Sequence, residues 1–203
     1  MFGFTDDEMA VLRNLYSPKK IQDFLNSLRQ NFDSGNDTCM SPRMVLREKK
    51  CHCIEGAMLA AAAMRVNGRK PLVLDLKTND QDLDHVIAVF REGGRWGAIS
   101  KTNHPFLRYR DPVYRDIREL VMSYFNEYIN DFGKLTLRSY SDPVDLSVFD
   151  GIGWMTAEKD LWKIASYLDS VRHNKILTRS QIARLRMADK IKIEANDMVE
   201  WKK

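Results

Sequence analysis

The chain has 203 residues, 44% of them hydrophobic, with 32 basic against 28 acidic side chains for a net charge of +4. This is the balance of an ordinary globular chain, and it excludes a disordered tail protein and a collagen-like repeat. The longest apolar run, the eight residues from Ala57 to Met64, is far short of the roughly 20 needed to span a bilayer. No membrane association is expected. The start, MFGFTDDEMA, has no basic segment followed by an apolar one, so no signal peptide is expected and the default compartment is the cytoplasm. The small positive excess is spread along the sequence and predicts solubility rather than nucleic acid binding. Cys39, Cys51 and Cys53 cannot all pair, which argues against a disulfide framework. Cys51-His52-Cys53 looks like half of a zinc site, but no second cysteine pair completes it, so neither metal nor cofactor is expected.

In chain order, Ser17-Pro18 opens a helix expected to reach about Gln30, with Ile21, Phe24, Leu25 and Leu28 on one face. Asp33 to Thr38 reads as a loop, and a short helix follows Ser41-Pro42. A helix is expected from about Cys53 to Val66, stopped by Asn67-Gly68. Strands are expected at Leu72–Leu76, His85–Phe90 and Arg95–Ser100, the last two joined by a Glu92-Gly93-Gly94 turn. Val113 to Ile129 reads as an amphipathic helix and Lys134 to Tyr140 as a strand. Helices are expected again over about Ala157–Val171 and Arg179–Lys190, with Trp154 and Trp162 as anchors. The order of elements favours an α+β fold with an antiparallel sheet against a helix layer. A core domain is expected over residues 1–145, with a C-terminal helical extension over 146–203.

Cys53 is the residue most suited to chemistry. It is expected in the first turn of its helix, where unpaired N–H groups and the helix dipole favour a thiolate. Arg47, Lys49 and Lys50 add to that field, and Glu55 opposes it weakly. The alanines behind it let the helix approach a sheet closely. His85 opens a strand and could bring its ring within hydrogen-bond reach of the thiol, which would make a nucleophile–base couple. Other clusters read as structural. Asn79 to Asp84 alternates acids but lacks the glycine and closing glutamate of a calcium loop. Arg108 to Arg115 mixes basic and aromatic residues, yet Asp111, Asp116 and Glu119 favour internal ion pairs. Arg179, Arg184 and Arg186 read as a solvated helix face.

The segment Cys51-His52-Cys53-Ile54-Glu55-Gly56-Ala57 resembles the Gly-x-Cys-x-x-x-Ala nucleophile motif of the transglutaminase-like superfamily. Ser41 to Leu46 resembles the short helix before that motif, and Gly68 to Leu76 the glycine turn and strand after it. Asp84-His85-Val86 through Gly93-Gly94-Arg95-Trp96 resembles the histidine strand, turn and tryptophan strand. The resemblance covers roughly Ile21 to Thr102. It implies a papain-like fold with a central helix on an antiparallel sheet, and a Cys–His–Asp triad acting on an amide, peptide or isopeptide bond of a protein or peptide substrate. The chain departs from the pattern twice. Cys51 replaces the glycine, and Ser100 stands where the triad aspartate belongs, with Asn103 as a second candidate for orienting the ring. The implied site is therefore Cys53, His85 and either Ser100 or Asn103, with the Cys53 N–H donating to the oxyanion. The alternatives are a catalytically silent binding or scaffold domain on the same frame, and a structural protein with Cys53 in its core.

Overall fold

A computed structural model of the chain describes residues 2–32 and 37–202. Residues 33–36 of the expected loop lie outside them. The N-terminal part runs through α1 (Asp6–Asn14), α2 (Pro18–Ser27), β1 (Arg29–Gln30), α3 (Pro42–Glu48), β2 (Lys50–Cys51) and α4 (Cys53–Val66). Ser17 and Ser41 accept from the Lys20 and Met44 backbone N–H groups, and a proline follows each as the first helical residue. That pairing satisfies one orphan donor and removes another, which is why both starts are legible in the sequence. β1 and β2 pair in parallel, joining the end of α2 to the approach to α4.

α4 is the centre of the fold. From Glu55 to Met64 every residue is buried, as expected of a helix that is apolar all round. Its small residues admit close neighbours. A Cβ built on Gly56 would lie 2.7 Å from the Lys101 Cβ, so glycine is required where Lys101 crosses. Lys101 is itself buried, its ammonium donating to the Leu25 and Leu28 carbonyls at 3.1 and 2.6 Å. Both lie at the end of α2; the Leu25 carbonyl also accepts from the Leu28 N–H at 3.2 Å, and Leu28 is the C-cap, whose carbonyl lies past the helix.

The chain continues through β3 (Leu72–Lys77), β4 (His85–Glu92), β5 (Arg95–Ile99), β6 (Arg110–Tyr114), α5 (Ile117–Phe125), β7 (Ser139–Ser141), β8 (Val144–Asp145), a 3-10 turn (Leu146–Ile152), α6 (Trp162–Ser170), β9 (His173–Lys175), α7 (Arg179–Ile182) and α8 (Lys190–Asn196). The fold is α+β. Its seven-stranded antiparallel sheet has the order β6-β5-β4-β3-β7-β9, with β8 pairing a further stretch of β3. Val73, Val86, Ala88, Phe90 and Ile99 face the core built on α4. Leu74, Leu76, Ile87, Val89 and Ala98 face a second core with Leu120, Val121 and Tyr124 of α5. Cover on both faces explains why β3 and β4 read as nearly continuous apolar runs. Trp154, Leu161, Ile164 and Leu168 join the α4 core, Ile176 joins the second core, and β9 joins the sheet, so the segment from Leu146 to Ile176 shares the packing of the rest. No helix among the described residues is long and apolar enough to cross a membrane.

Several boundaries differ from expectation. α2 ends at Ser27, because the chain must turn there to form β1. Over Val113–Ile129, β6 claims Val113 and Tyr114 by pairing with β5, and α5 starts only at the cap where Asp116 accepts from the Glu119 N–H at 2.8 Å. Over Lys134–Tyr140 the regular strand is confined to its end. Leu135 makes an isolated bridge to Ile129, and the Thr136 N–H donates to Tyr128, folding this stretch onto its own hairpin. The helix expected from Ala157 starts at Trp162, since the Leu161 N–H donates to the Cys39 carbonyl at 2.8 Å. Arg179–Lys190 is not one helix: α7 ends at Ile182 and α8 begins at Lys190. Of the two anchors, Trp154 is fully buried but Trp162 is 46% exposed.

Candidate functional site

Cys53 is the first residue of α4, with His52 as N-cap. The reason the helix starts there is Glu55. Its buried carboxylate accepts from the His52 N–H at 3.0 Å, the Thr38 hydroxyl at 2.7 Å, the Met40 N–H at 2.9 Å and the Asn31 amide at 3.2 Å. Burying a carboxylate is tolerable only with such a set of donors. The bonds tie the 38–40 segment and the end of β1 to the head of the helix, which fixes the backbone on both sides of Cys53.

The His85 ring comes from the first residue of β4 and is buried. Its Nε2 lies 2.8 Å from the Ser100 hydroxyl oxygen. Ser100 in turn donates to the Leu107 carbonyl at 2.5 Å. A hydroxyl has one proton. With that proton given to Leu107, Ser100 can only accept from the ring, so Nε2 carries the hydrogen and Nδ1 is the basic nitrogen of the neutral ring. The serine is held in turn by Gln22, whose amide accepts from the Ser100 N–H at 2.9 Å and donates to its carbonyl at 2.8 Å. Leu107 has φ 58°, a left-handed conformation a leucine avoids. It is kept there by an N–H bond to Glu127 at 3.0 Å, while Glu127 pairs with Arg110 at 2.6 Å.

Cys53 sits beside the rings of both His52 and His85, close enough for each to act on its thiol. Burial pushes the thiol up, but the two rings and their charge outweigh it and hold Cys53 well below the ordinary thiol range. The other cysteines are the opposite. Cys39 and Cys51 are fully buried and pushed up to about 12, chiefly by burial. Cys53 remains partly open to solvent. His52 is raised to about 9: burial works against its charge, but the Cys53 sulfur, the Glu55 carboxylate and the Thr38 carbonyl, 2.8 Å from its Nε2, prevail.

Of the residues singled out by sequence, Cys53, His85 and Ser100 lie together. Asn103 does not join them. Its amide donates to the Trp201 carbonyl at 3.0 Å and accepts from the Trp201 N–H at 2.8 Å, fastening the C-terminal segment. His52, Gln22 and Leu107 are participants that sequence reasoning did not assign. For His52 a signal was present, since the residue before a helix-heading cysteine, with an acid three positions on, is a cap beside the thiol. Gln22 and Leu107 act from distant elements, and nothing local marks them.

Elsewhere, Arg108, Arg110 and Arg115 make ion pairs with Glu200, Glu127 and Glu119. In the Asn79–Asp84 loop, Asp84 and Asp82 accept from the Thr78 and Leu83 N–H groups. Asp75, Asp84 and Asp169 bring carboxylate oxygens within 4.8 Å of one another. Lys77 already bonds Asp169 and Asp84 at 2.7 and 3.3 Å, and His173 bonds Asp75 at 2.9 Å. A scan against protein-family models gives no match to this chain, and a search of curated proteins gives none either.

Proposed function

We propose that the protein is a cysteine-dependent hydrolase or acyltransferase acting on an amide, peptide or isopeptide bond, on a papain-like core of transglutaminase type. The observation that carries this reading is the ordered set His85–Ser100–Leu107, in which each hydrogen-bond direction is forced by the next partner, with Cys53 at the head of α4 beside the His85 ring. The Cys53 thiolate attacks the substrate carbonyl, and the carbonyl π electrons move to oxygen. The Cys53 N–H, at the open end of α4, donates to that oxyanion. The proton taken from the thiol by an adjacent imidazole passes to the leaving nitrogen, the C–N bond breaks, and a thioester remains on Cys53. His85 then takes a proton from water or from an acceptor amine as it attacks, and collapse of the adduct restores the thiolate. Ser100 keeps the ring in place and in one tautomer, which is half of what a triad carboxylate does.

The test is turnover of an activated ester such as p-nitrophenyl acetate, followed as release of p-nitrophenolate. Release above background that is lost in both Cys53→Ala and His85→Ala is expected. Release equal to background, or unchanged in both variants, favours the silent binding domain.

A further inference from the structure

The arrangement around Cys53 has two imidazoles where a triad needs one, and their partners differ in kind. His85 rests on Ser100, a neutral hydroxyl, at 2.8 Å. His52 has its Nε2 2.8 Å from the Thr38 carbonyl and 3.5 Å from the Glu55 carboxylate. A carbonyl only accepts, so Nε2 of His52 carries hydrogen and its Nδ1 is left for the sulfur. Glu55 is fully buried, and among the described residues its other bonds come from neutral donors, Thr38, Met40, Asn31 and the His52 backbone. His52 is therefore the ring beside which the local negative charge is concentrated.

We propose that His52, charged and backed by Glu55, is the ion-pair partner of the Cys53 thiolate and gives its Nδ1 proton to the leaving nitrogen. His85 enters neutral and takes the proton of the attacking water or amine in the second step, and that proton then returns to His52 to close the cycle. The inference rests on the hydrolase or acyltransferase reading and divides its work between two rings. A positive charge on His52 faces a carboxylate at 3.5 Å, whereas the partner on the Nε2 side of His85 is the neutral Ser100 hydroxyl. The missing triad acid is thus supplied from the other side of the nucleophile. In the ion pair the thiol proton resides on Nδ1 of His52 and the S–H electron pair stays on sulfur. Among the described residues, the titratable groups facing this cluster are Cys53 and Glu55 of α4, His85 of β4, and Tyr128 after α5, whose phenol is pushed up by burial and then by the Cys53 charge. Cys39 and Cys51 also lie near and are raised.

The experiment is the pH profile of iodoacetamide labelling at Cys53, mapped by mass spectrometry, in the full chain and in His52→Gln and His85→Gln. The midpoint is the quantity to read, because a thiolate of lower pKa is also a weaker nucleophile and the rate at one pH mixes the two effects. The native midpoint is expected well below the ordinary value of about 8.5. His52→Gln is expected to raise it by about two units, and His85→Gln by less than half of that, while His85→Gln abolishes ester turnover. A larger rise in His85→Gln than in His52→Gln would overturn the proposal and leave the nucleophile assignment standing. A native midpoint near the ordinary thiol value would overturn the nucleophile assignment itself. Should His52→Gln fail to fold, nitrogen NMR of the native His52 ring decides: protonation at both nitrogens at pH 8 supports the ion pair, and a neutral ring at pH 7 refutes it.

Discussion

His85 donates to Ser100 because Ser100 has no proton left for anything but Leu107. The 2.8 Å contact between ring and hydroxyl is thus governed by a third residue, and the left-handed Leu107 backbone is what presents that carbonyl. Ser100→Ala removes the acceptor but leaves His85 packed. The loss of one neutral hydrogen bond is worth about 0.5–1.5 kcal/mol, so ester turnover should fall about 2- to 10-fold. That is much less than the roughly 10⁴-fold loss from replacing a triad aspartate by its amide. A loss beyond 10³-fold would mean that Ser100 does more than hold the ring.

Cys53 should be the thiol that reacts in the native protein. At pH 7 alkylation is expected at Cys53, with Cys39 and Cys51 labelled only after unfolding, because both are sealed from solvent and pushed up to about 12. Peptide mapping after a brief exposure to iodoacetamide reads this directly. Native-state labelling of Cys51 ahead of Cys53 would contradict the assignment.

Gly56 and Lys101 should behave as a pair. Gly56→Ala sets a methyl 2.7 Å from the Lys101 Cβ, an atom close to backbone that cannot swing away. The overpacking cost is about 1–3 kcal/mol. Lys101→Met removes the ammonium donor from the Leu28 carbonyl and the second donor from the Leu25 carbonyl, for about 1–3 kcal/mol. Urea unfolding curves should show both losses, and the double variant should lose less than their sum, since the two sites touch.

Much of this arrangement is written locally. Ser17-Pro18, Ser41-Pro42 and the Asn67-Gly68 stop mark helix ends by capping chemistry, and the Cys53–Val66 helix follows from them and from its alanines. Cys53, His85 and Ser100 are legible because each heads or ends an element whose period is clear. The rest depends on contacts between distant segments. Val113 and Tyr114 suit a helix or a strand, and only the β5 edge decides for strand. Asn103 has the right chemistry for an orienter, but the C-terminal segment takes its amide, and no local pattern announces that partnership.

Stability should fall between pH 4 and 6 through Asp75. Burial raises its carboxyl from 3.8 to about 6, with Asp84 adding to the rise and His173 and Lys77 opposing it. The folded state therefore holds a proton that the unfolded chain releases. That stabilisation is fully present below about 4 and is lost as pH rises through about 6. At about 1.4 kcal/mol per unit it amounts to on the order of 2–3 kcal/mol. Asp75→Asn should flatten this part of the pH–stability curve. An unchanged slope would place the titration elsewhere.

The central claim is that Cys53 accepts an acyl group and His85 drives its release. Intact-mass spectrometry after mixing with p-nitrophenyl acetate tests it most directly. In the native protein an acetyl adduct on Cys53 should appear and decay within the time course. In His85→Gln any adduct that forms should persist, and in Cys53→Ala none should appear. Acetylation spread over lysines with Cys53 unmodified, or an adduct that decays equally fast without His85, would contradict the claim.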